Sequence, residues 1–255
     1  AACGELDANP EVTRLQDATA WGYRENNLLM VTERSPAEAH VFQRGWKARA
    51  RRVILATGAI ERHLVFANND LPGVMLASAV QTYHHEFGVV PGRRAMIFTN
   101  NSSAYALAHD LQAAGTIIAG IIDSRPFDAI GAEKDELEIP LYSASQITAA
   151  HGGKHLCAVS IRAADGSTKR VGCDLLAVSG GWNPAVHLFS QSRGSLTYDD
   201  DLASFVPKKV VQKLACVGAA AGKMNMASAL ADTANKIATS LKSCGFKSPT
   251  FTMPQ

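Results

Sequence analysis

Three short apolar runs in this 255-residue sequence end in small residues: Ala56-Thr57-Gly58-Ala59, Ser179-Gly180-Gly181 and Val217-Gly218-Ala219-Ala220. Small residues after a buried strand let a large, flat cofactor with a pyrophosphate lie at van der Waals distance from the backbone, where a Cβ would hold it off. Tight turns after buried strands use glycine as well, so each run taken alone carries both readings. Their order, with a strand–helix–strand unit between the first and second, favours the cofactor. Two further residues belong to the candidate set. Asn101 lies in the turn Thr99-Asn100-Asn101-Ser102-Ser103, where a helix N-terminus favours an anion. Asp123 stands about 20 residues on, where a carboxylate would take a ribose hydroxyl. The turn at Asn101 lacks the glycines of a dinucleotide loop, so one criterion is met and one fails. The outer positions, Ala56-Thr57-Gly58 and Gly218-Ala219-Ala220, are therefore the preferred cofactor site.

Other constellations read as structure. His151-Gly152-Gly153-Lys154-His155 has H-x-x-x-H spacing, but its paired glycines argue against a helix that would bring both imidazoles to one face, so a surface loop is expected. His84-His85 falls on a predicted helix. Lys47, Arg49 and Arg51 alternate with alanines, which suggests a solvated strand face more than a phosphate patch. Asp199-Asp200-Asp201 lacks calcium-loop spacing. No obvious catalytic acid, base or nucleophile emerges.

The elements that must position these residues follow from periodicity. Val12–Leu15, Leu28–Thr32 and Arg51–Ala56 read as strands, Asp70–Gly73 as a turn, and 75–87 as a helix stopped at Gly88. Arg94–Phe98, a helix through Tyr105, Ala108, Leu111 and Ala114, and Thr116–Ile122 make a βαβ unit, which requires a parallel pair. Gln146–Thr148, Leu156–Ile161 and Lys169–Val171 read as short strands, with Asp165-Gly166 marking a hairpin. Asp174–Ser179 is again a strand running into glycines. After the strand Leu214–Gly218, the stripe Met226, Leu230, Ala234, Ile237 and Leu241 predicts a long helix, and the tail after Gly245 reads as a linker.

Composition narrows the class. A hydrophobic content of 47% with 19% charged residues is that of a globular chain rather than a disordered one. A net charge of +2 gives no reason to expect a nucleic-acid partner. No apolar run reaches the length needed to span a bilayer, and the first residues have neither the basic start nor the apolar stretch of a signal peptide. The cysteines (Cys3, Cys157, Cys173, Cys216 and Cys244) form no C-x-x-C, which points to idle thiols in a reducing compartment and hence to the cytoplasm. The absence of a starting methionine suggests a fragment.

Longer strings carry a family resemblance. Arg52–Ala59 is similar to the strand-to-cofactor crossing of glutathione-reductase-like flavoproteins, in which a second dinucleotide domain is inserted into the first; Gly218 sits where the first resumes. The strings 56–62, 64–75, 98–105 and 179–188, together with Ala20-Trp21-Gly22-Tyr23, resemble the alpha subunits of heterotetrameric sarcosine oxidases, from about Asn9 to Ala238. Amine and imino-acid oxidase subunits of proline dehydrogenase and opine oxidase complexes share the pattern more weakly.

The resemblance implies NAD held by this subunit, with Ala20, Ala56, Thr57, Gly58, Ala59, Gly218, Ala219 and Ala220 at the cofactor and Asn101 and Asp123 as further candidates. It also implies a separate beta subunit carrying FAD, FMN near the alpha–beta contact, smaller subunits, and a tetrahydrofolate-binding domain beyond these residues. The assembly would oxidatively demethylate a small amine, N-methylglycine, with oxygen. The expected fold is α/β: a split dinucleotide-binding, Rossmann-like domain (1–88 and 181–255) with a smaller βαβ-containing domain inserted at 89–180. The alternatives are a proline, hydroxyproline or opine oxidising complex, a self-sufficient pyridine-nucleotide flavin reductase, and a scaffold that has lost its ligand. No G-x-G-x-x-G precedes the first strands.

Overall fold

In the computed structural model, residues 2–34, 42–132 and 138–247 are described. The chain divides into two units, one made of 1–59 and 184–255 and the other of 60–183.

The first unit opens with a short helix, α1 (Ala2–Asp7), and an antiparallel meander of β1 (Ala18–Arg24), β2 (Leu28–Arg34) and β3 (Gln43–Arg49). The expected strand at Val12–Leu15 does not form. No described strand offers it a ladder partner, and Arg14 instead donates to both oxygens of Asp7, from Nε at 2.7 Å and Nη2 at 2.6 Å. Lys47 and Arg49 are exposed on β3, as their alternation predicts; Arg51 lies beyond the strand. Next comes β4 (Val53–Leu55), then β5 (Ala59–Glu61).

The second unit continues with β6 (Val74–Leu76), α2 (Ala77–Phe87), β7 (Arg94–Thr99), α3 (Ser103–Ala113), β8 (Ile117–Asp123) and β9 (Leu141–Tyr142). The meander β10 (Gln146–Gly152), β11 (Leu156–Arg162) and β12 (Thr168–Gly172) follows, and β13 (Leu175–Ser179) and β14 (Trp182–Pro184) close the sequence of elements. Five strands form a wholly parallel sheet in the order β6-β13-β7-β8-β9. Such a sheet needs both faces covered, and successive side chains supply them. Ala95, Ile97, Leu175, Ala177 and Ile121 pack with Val80, Tyr105, Leu107 and Leu111 of α2 and α3. Met96, Phe98, Leu176, Val178 and Ile122 pack with Ile147, Leu156, Val159 and Ile161 of the meander.

The boundary expected at residue 89 moves to 60. Val74-Met75-Leu76 pairs with Leu176-Ala177-Val178 as an edge strand, and α2 packs on the same sheet. The N-terminus of α2 is capped from a distance, because the Ser78 N–H donates to the buried Glu61 carboxylate at 2.8 Å.

The chain returns to the first unit through α4 (His187–Gln191), β15 (Ser195–Asp199), β16 (Ser204–Lys209), β17 (Leu214–Cys216) and α5 (Met226–Ser243). The core here is Tyr23, Val53, Leu55, Leu188, Phe189, Leu214 and Cys216. Asn27, buried and at φ 53°, ties the parts together. Its Nδ2 donates to the Lys213 carbonyl at 2.9 Å, and its Oδ1 accepts from the Tyr23 hydroxyl at 2.8 Å. The stripe of α5 is covered only in part: Met226 is 74% and Leu230 38% exposed, whereas Ala234, Ile237 and Leu241 are half-buried. Of the expected linker after Gly245, residues 248–255 lie outside the described residues.

Candidate functional site

The two outer small-residue turns come together in the first unit. β4 and β17 are parallel neighbours, with Leu214 opposite Val53 and Cys216 opposite Leu55, and the Val217 N–H donates to the Leu55 carbonyl at 3.0 Å. Val53, Leu55, Leu214 and Cys216 face the core, so the register that buries them also brings the segments after Leu55 and Cys216 out side by side. Gly58 then takes φ 72° and Gly218 φ 62°, left-handed conformations that favour glycine; a Cβ on either would meet no atom within 4 Å. Both turns therefore present bare backbone to open space at the carboxyl ends of parallel strands, where ligands of open α/β sheets bind.

The turns are pinned by their own unit. The Thr57 hydroxyl donates to the Ala185 carbonyl at 2.7 Å, and the Ala185 N–H returns to the Gly58 carbonyl at 2.9 Å. Gly218–Ala221 forms one 3₁₀ turn, ended by Gly222 at φ 78°. Asn225 caps α5 by accepting from the Ser228 N–H at 3.2 Å. Lys236 of α5 donates to the Cys216 carbonyl at 3.0 Å and to Asp232 at 2.7 Å, fixing the helix to the end of β17. Burial pushes the Cys216 thiol up to about 11, against the pull of Lys236, so it stays neutral. Ala185, Asn225 and Lys236 were not among the expected site residues; Ala185 acts through its backbone, which leaves no sequence signal.

The remaining expected residues separate. Ala56 and Thr57 are exposed, and Gly58, Ala59, Gly218 and Ala219 are half-buried, whereas Ala220 is fully buried. Ala20 lies exposed on β1 opposite Val31, beside an irregularity at Gly22; strand pairing does not bring it to the ends of β4 and β17. Three clefts of about 430, 440 and 490 Å³ in this unit share Arg51, at the opposite, amino ends of β4 and β17. That is the wrong end of the strands for a dinucleotide.

In the second unit the corresponding features are filled by the chain itself. Asn101 accepts at Oδ1 from the Ser103 N–H (3.1 Å) and Ser103 hydroxyl (2.6 Å), and its Nδ2 donates to the Ser179 carbonyl at 3.2 Å. Its side chain thus occupies the start of α3, where an anion would sit. Asp123, fully buried, accepts at Oδ1 from Arg125 N–H (2.9 Å) and Nε (3.1 Å), and at Oδ2 from Arg125 Nη2 (2.8 Å) and the Tyr105 hydroxyl (3.0 Å). Burial, and then the charge of Asp123, push the Tyr105 hydroxyl far above its usual range, keeping it a donor. At Gly180 a Cβ would stand 2.9 Å from the Arg62 carbonyl, and at Gly181 one would stand 2.7 Å from the Arg62 guanidinium. These two glycines admit neighbouring protein.

His151 and Gly152 end β10, and Gly153–His155 form the expected exposed loop; Gly152 lets β10 and β11 meet there in a tight irregular turn, and His151 Nε2 lies 2.7 Å from the Ser160 hydroxyl. His84 and His85 lie on α2 as expected, with His85 Nε2 3.0 Å from Asp110 Oδ2. Among the described residues no cluster of His, Cys, Asp and Glu could hold a metal, and no helix is long and apolar enough to cross a membrane.

Comparison with known proteins follows the same line. No family model matches the chain. It is 38% identical to a sarcosine oxidase subunit alpha of Corynebacterium sp. (strain P-1) over 97% of its own length and 27% of that protein. It is 34% identical to the subunit alpha of Rhizobium meliloti over 96% of its length and 25% of that protein. The chain thus spans about a quarter of the length of the curated relatives it matches. Among solved structures, L-proline dehydrogenase from P. horikoshii is similar with a TM-score of 0.65 at 19% identity, covering 94% of this chain and 43% of that one. T. acidophilum thioredoxin reductase is similar with a TM-score of 0.63 at 17% identity, covering 89% and 74%. At these identities the structures show the fold alone, a Rossmann-like α/β architecture. Over nearly its whole length, this chain is similar to sarcosine oxidase alpha subunits, and it matches about a quarter of one.

Proposed function

We propose that these residues are the dinucleotide-holding part of a sarcosine-oxidase-type alpha subunit, and that the group held is NAD. The observation that carries the reading is the pair of open, left-handed glycines on adjacent parallel strands, Gly58 and Gly218. They fit a pyrophosphate-bearing cofactor because both turns offer backbone without a Cβ in the way. Ala56-Thr57-Gly58 and Gly218-Ala219 would hold it, Thr57 and Ala185 keep the first turn in shape, and Lys236 keeps α5 against the second. NAD, when bound, would supply a nicotinamide able to carry a hydride. Asn101 and Asp123, although candidates by sequence, hold their own unit together in this reading.

The rest of the proposed function follows from what the sequence resemblance implies. Amine oxidation is assigned to FAD on a beta subunit that this protein docks, with FMN near their contact, smaller subunits completing the complex, and tetrahydrofolate held beyond these 255 residues. The reaction is the oxidative demethylation of N-methylglycine to glycine, with hydrogen peroxide and formaldehyde equivalents as the other products. The test is oxygen consumption by the full-length protein co-expressed with its neighbouring genes. Turnover of sarcosine with stoichiometric peroxide is expected. A flavin-loaded complex that ignores sarcosine and oxidises L-proline or an opine would overturn the substrate assignment.

A further inference from the structure

We propose that Cys157 and Cys173 form a peroxide-oxidisable dithiol, in which Cys157 meets the oxidant and Cys173 converts it to a cross-strand disulfide. The proposal is independent of the function assigned above. β11 and β12 run antiparallel with Ala158 opposite Gly172, so the next rung sets Cys157 opposite Cys173. The Cys173 N–H donates to the Cys157 carbonyl at 3.1 Å. Hydrogen-bonded partners of this kind have Cα atoms about 5.5 Å apart, within the span a disulfide bridges. Directly opposed side chains also leave a sheet on the same face.

Exposure divides the roles. Cys157 is exposed, while Cys173 is 4% exposed and packs in the core with Val159 and Val171. Burial pushes the Cys173 thiol up to about 12, Asp174 adding to the rise and Arg94 opposing it, so it is no first target for an oxidant in solution.

In the first step the Cys157 sulfur attacks a peroxide oxygen. The S–O bond forms, the O–O bond breaks, and the departing oxygen takes the thiol proton; hydrogen peroxide leaves water. In the second, the Cys173 sulfur attacks the sulfenic sulfur, the S–S bond forms, the S–O bond breaks, and the Cys173 proton leaves with the hydroxyl as a second water. The two thiols give up two electrons and the peroxide accepts them.

The test uses the full-length protein exposed to a small excess of hydrogen peroxide, then denatured, alkylated and digested with trypsin. The expected product is a peptide joining 155–162 to 171–193, two hydrogens lighter than the sum of its parts and split by dithiothreitol. In Cys173→Ser, Cys157 should stop at the sulfenic acid and be trapped by dimedone; in Cys157→Ser, Cys173 should stay fully alkylatable. Full alkylation of both thiols after peroxide would overturn the proposal, as would oxidation of Cys157 in the unsubstituted protein without the joined peptide.

Discussion

Gly58 and Gly218 leave neighbouring parallel strands in the same left-handed conformation, at φ 72° and 62°, and each faces empty space where its Cβ would point. Backbone strain alone makes a β-branched residue costly there, by roughly 1–2 kcal/mol. A valine would also fill the space in front of the turn. Gly58→Val and Gly218→Val are each expected to lower the dinucleotide recovered with the purified protein about tenfold or more, a loss of about 1.4 kcal/mol or greater in binding. Chromatography of the nucleotides released on denaturation checks this, and recovery at the unsubstituted level would contradict it.

Gly180 makes the opposite case, since its missing Cβ leaves room for the Arg62 and His63 carbonyls, at 2.9 and 3.1 Å. Gly180→Ala is expected to destabilise the protein by about 1–3 kcal/mol through overpacking, with nucleotide recovery unchanged. Thermal denaturation and nucleotide release, measured on the same preparation, separate the two effects.

The Asp123–Arg125 pair supports the second unit rather than a ligand. Asp123 is fully buried and Arg125 keeps 23% side-chain exposure, so breaking the pair should cost about 2 kcal/mol, less than for a wholly buried one. Asp123→Asn is expected to lower the denaturant midpoint while nucleotide recovery stays at the unsubstituted level. Loss of nucleotide in a folded Asp123→Asn protein would return Asp123 to the cofactor site.

Cys173 sets an alkaline limit. Its folded-state value, about 12, lies above the ordinary value of 9, so between these the unfolded chain has lost a proton that the folded chain keeps. The contribution to stability is complete below pH 9 and declines as pH rises towards 12. Cys173→Ser should show a shallower fall in stability over that window in denaturant titrations under reducing conditions, and identical slopes would contradict the assignment.

The sequence made the long parallel strands legible because they are buried on both faces. Arg94–Phe98, Thr116–Ile122 and Asp174–Ser179 are nearly unbroken apolar runs, and a parallel sheet needs such runs. The edge strand Val74–Leu76 was hidden because three residues next to a helix carry no period of their own, so Met75 was absorbed into α2. The first strand of the chain, Ala18–Arg24, was missed for a related reason: its burial, exposed through Ala20 and Trp21 and then buried at Gly22 and Tyr23, does not alternate. Gly58 and Gly218 were singled out by type and position, and the structure sets both after adjacent parallel strands. Gly180 and Gly181 look the same in sequence, and only the position of Arg62 tells them apart. Asp123 met the spacing expected of a ribose-binding carboxylate, but Arg125, two residues on, takes both of its oxygens.

The most direct test of the central claim is mass spectrometry of the nucleotides released from the full-length protein, purified with its partner subunits and then separated from them. NAD is expected from this polypeptide, reduced about tenfold or more by Gly58→Val or Gly218→Val, with flavin confined to the partner. FAD released from this polypeptide purified alone, or NAD retained undiminished in both variants, would contradict it.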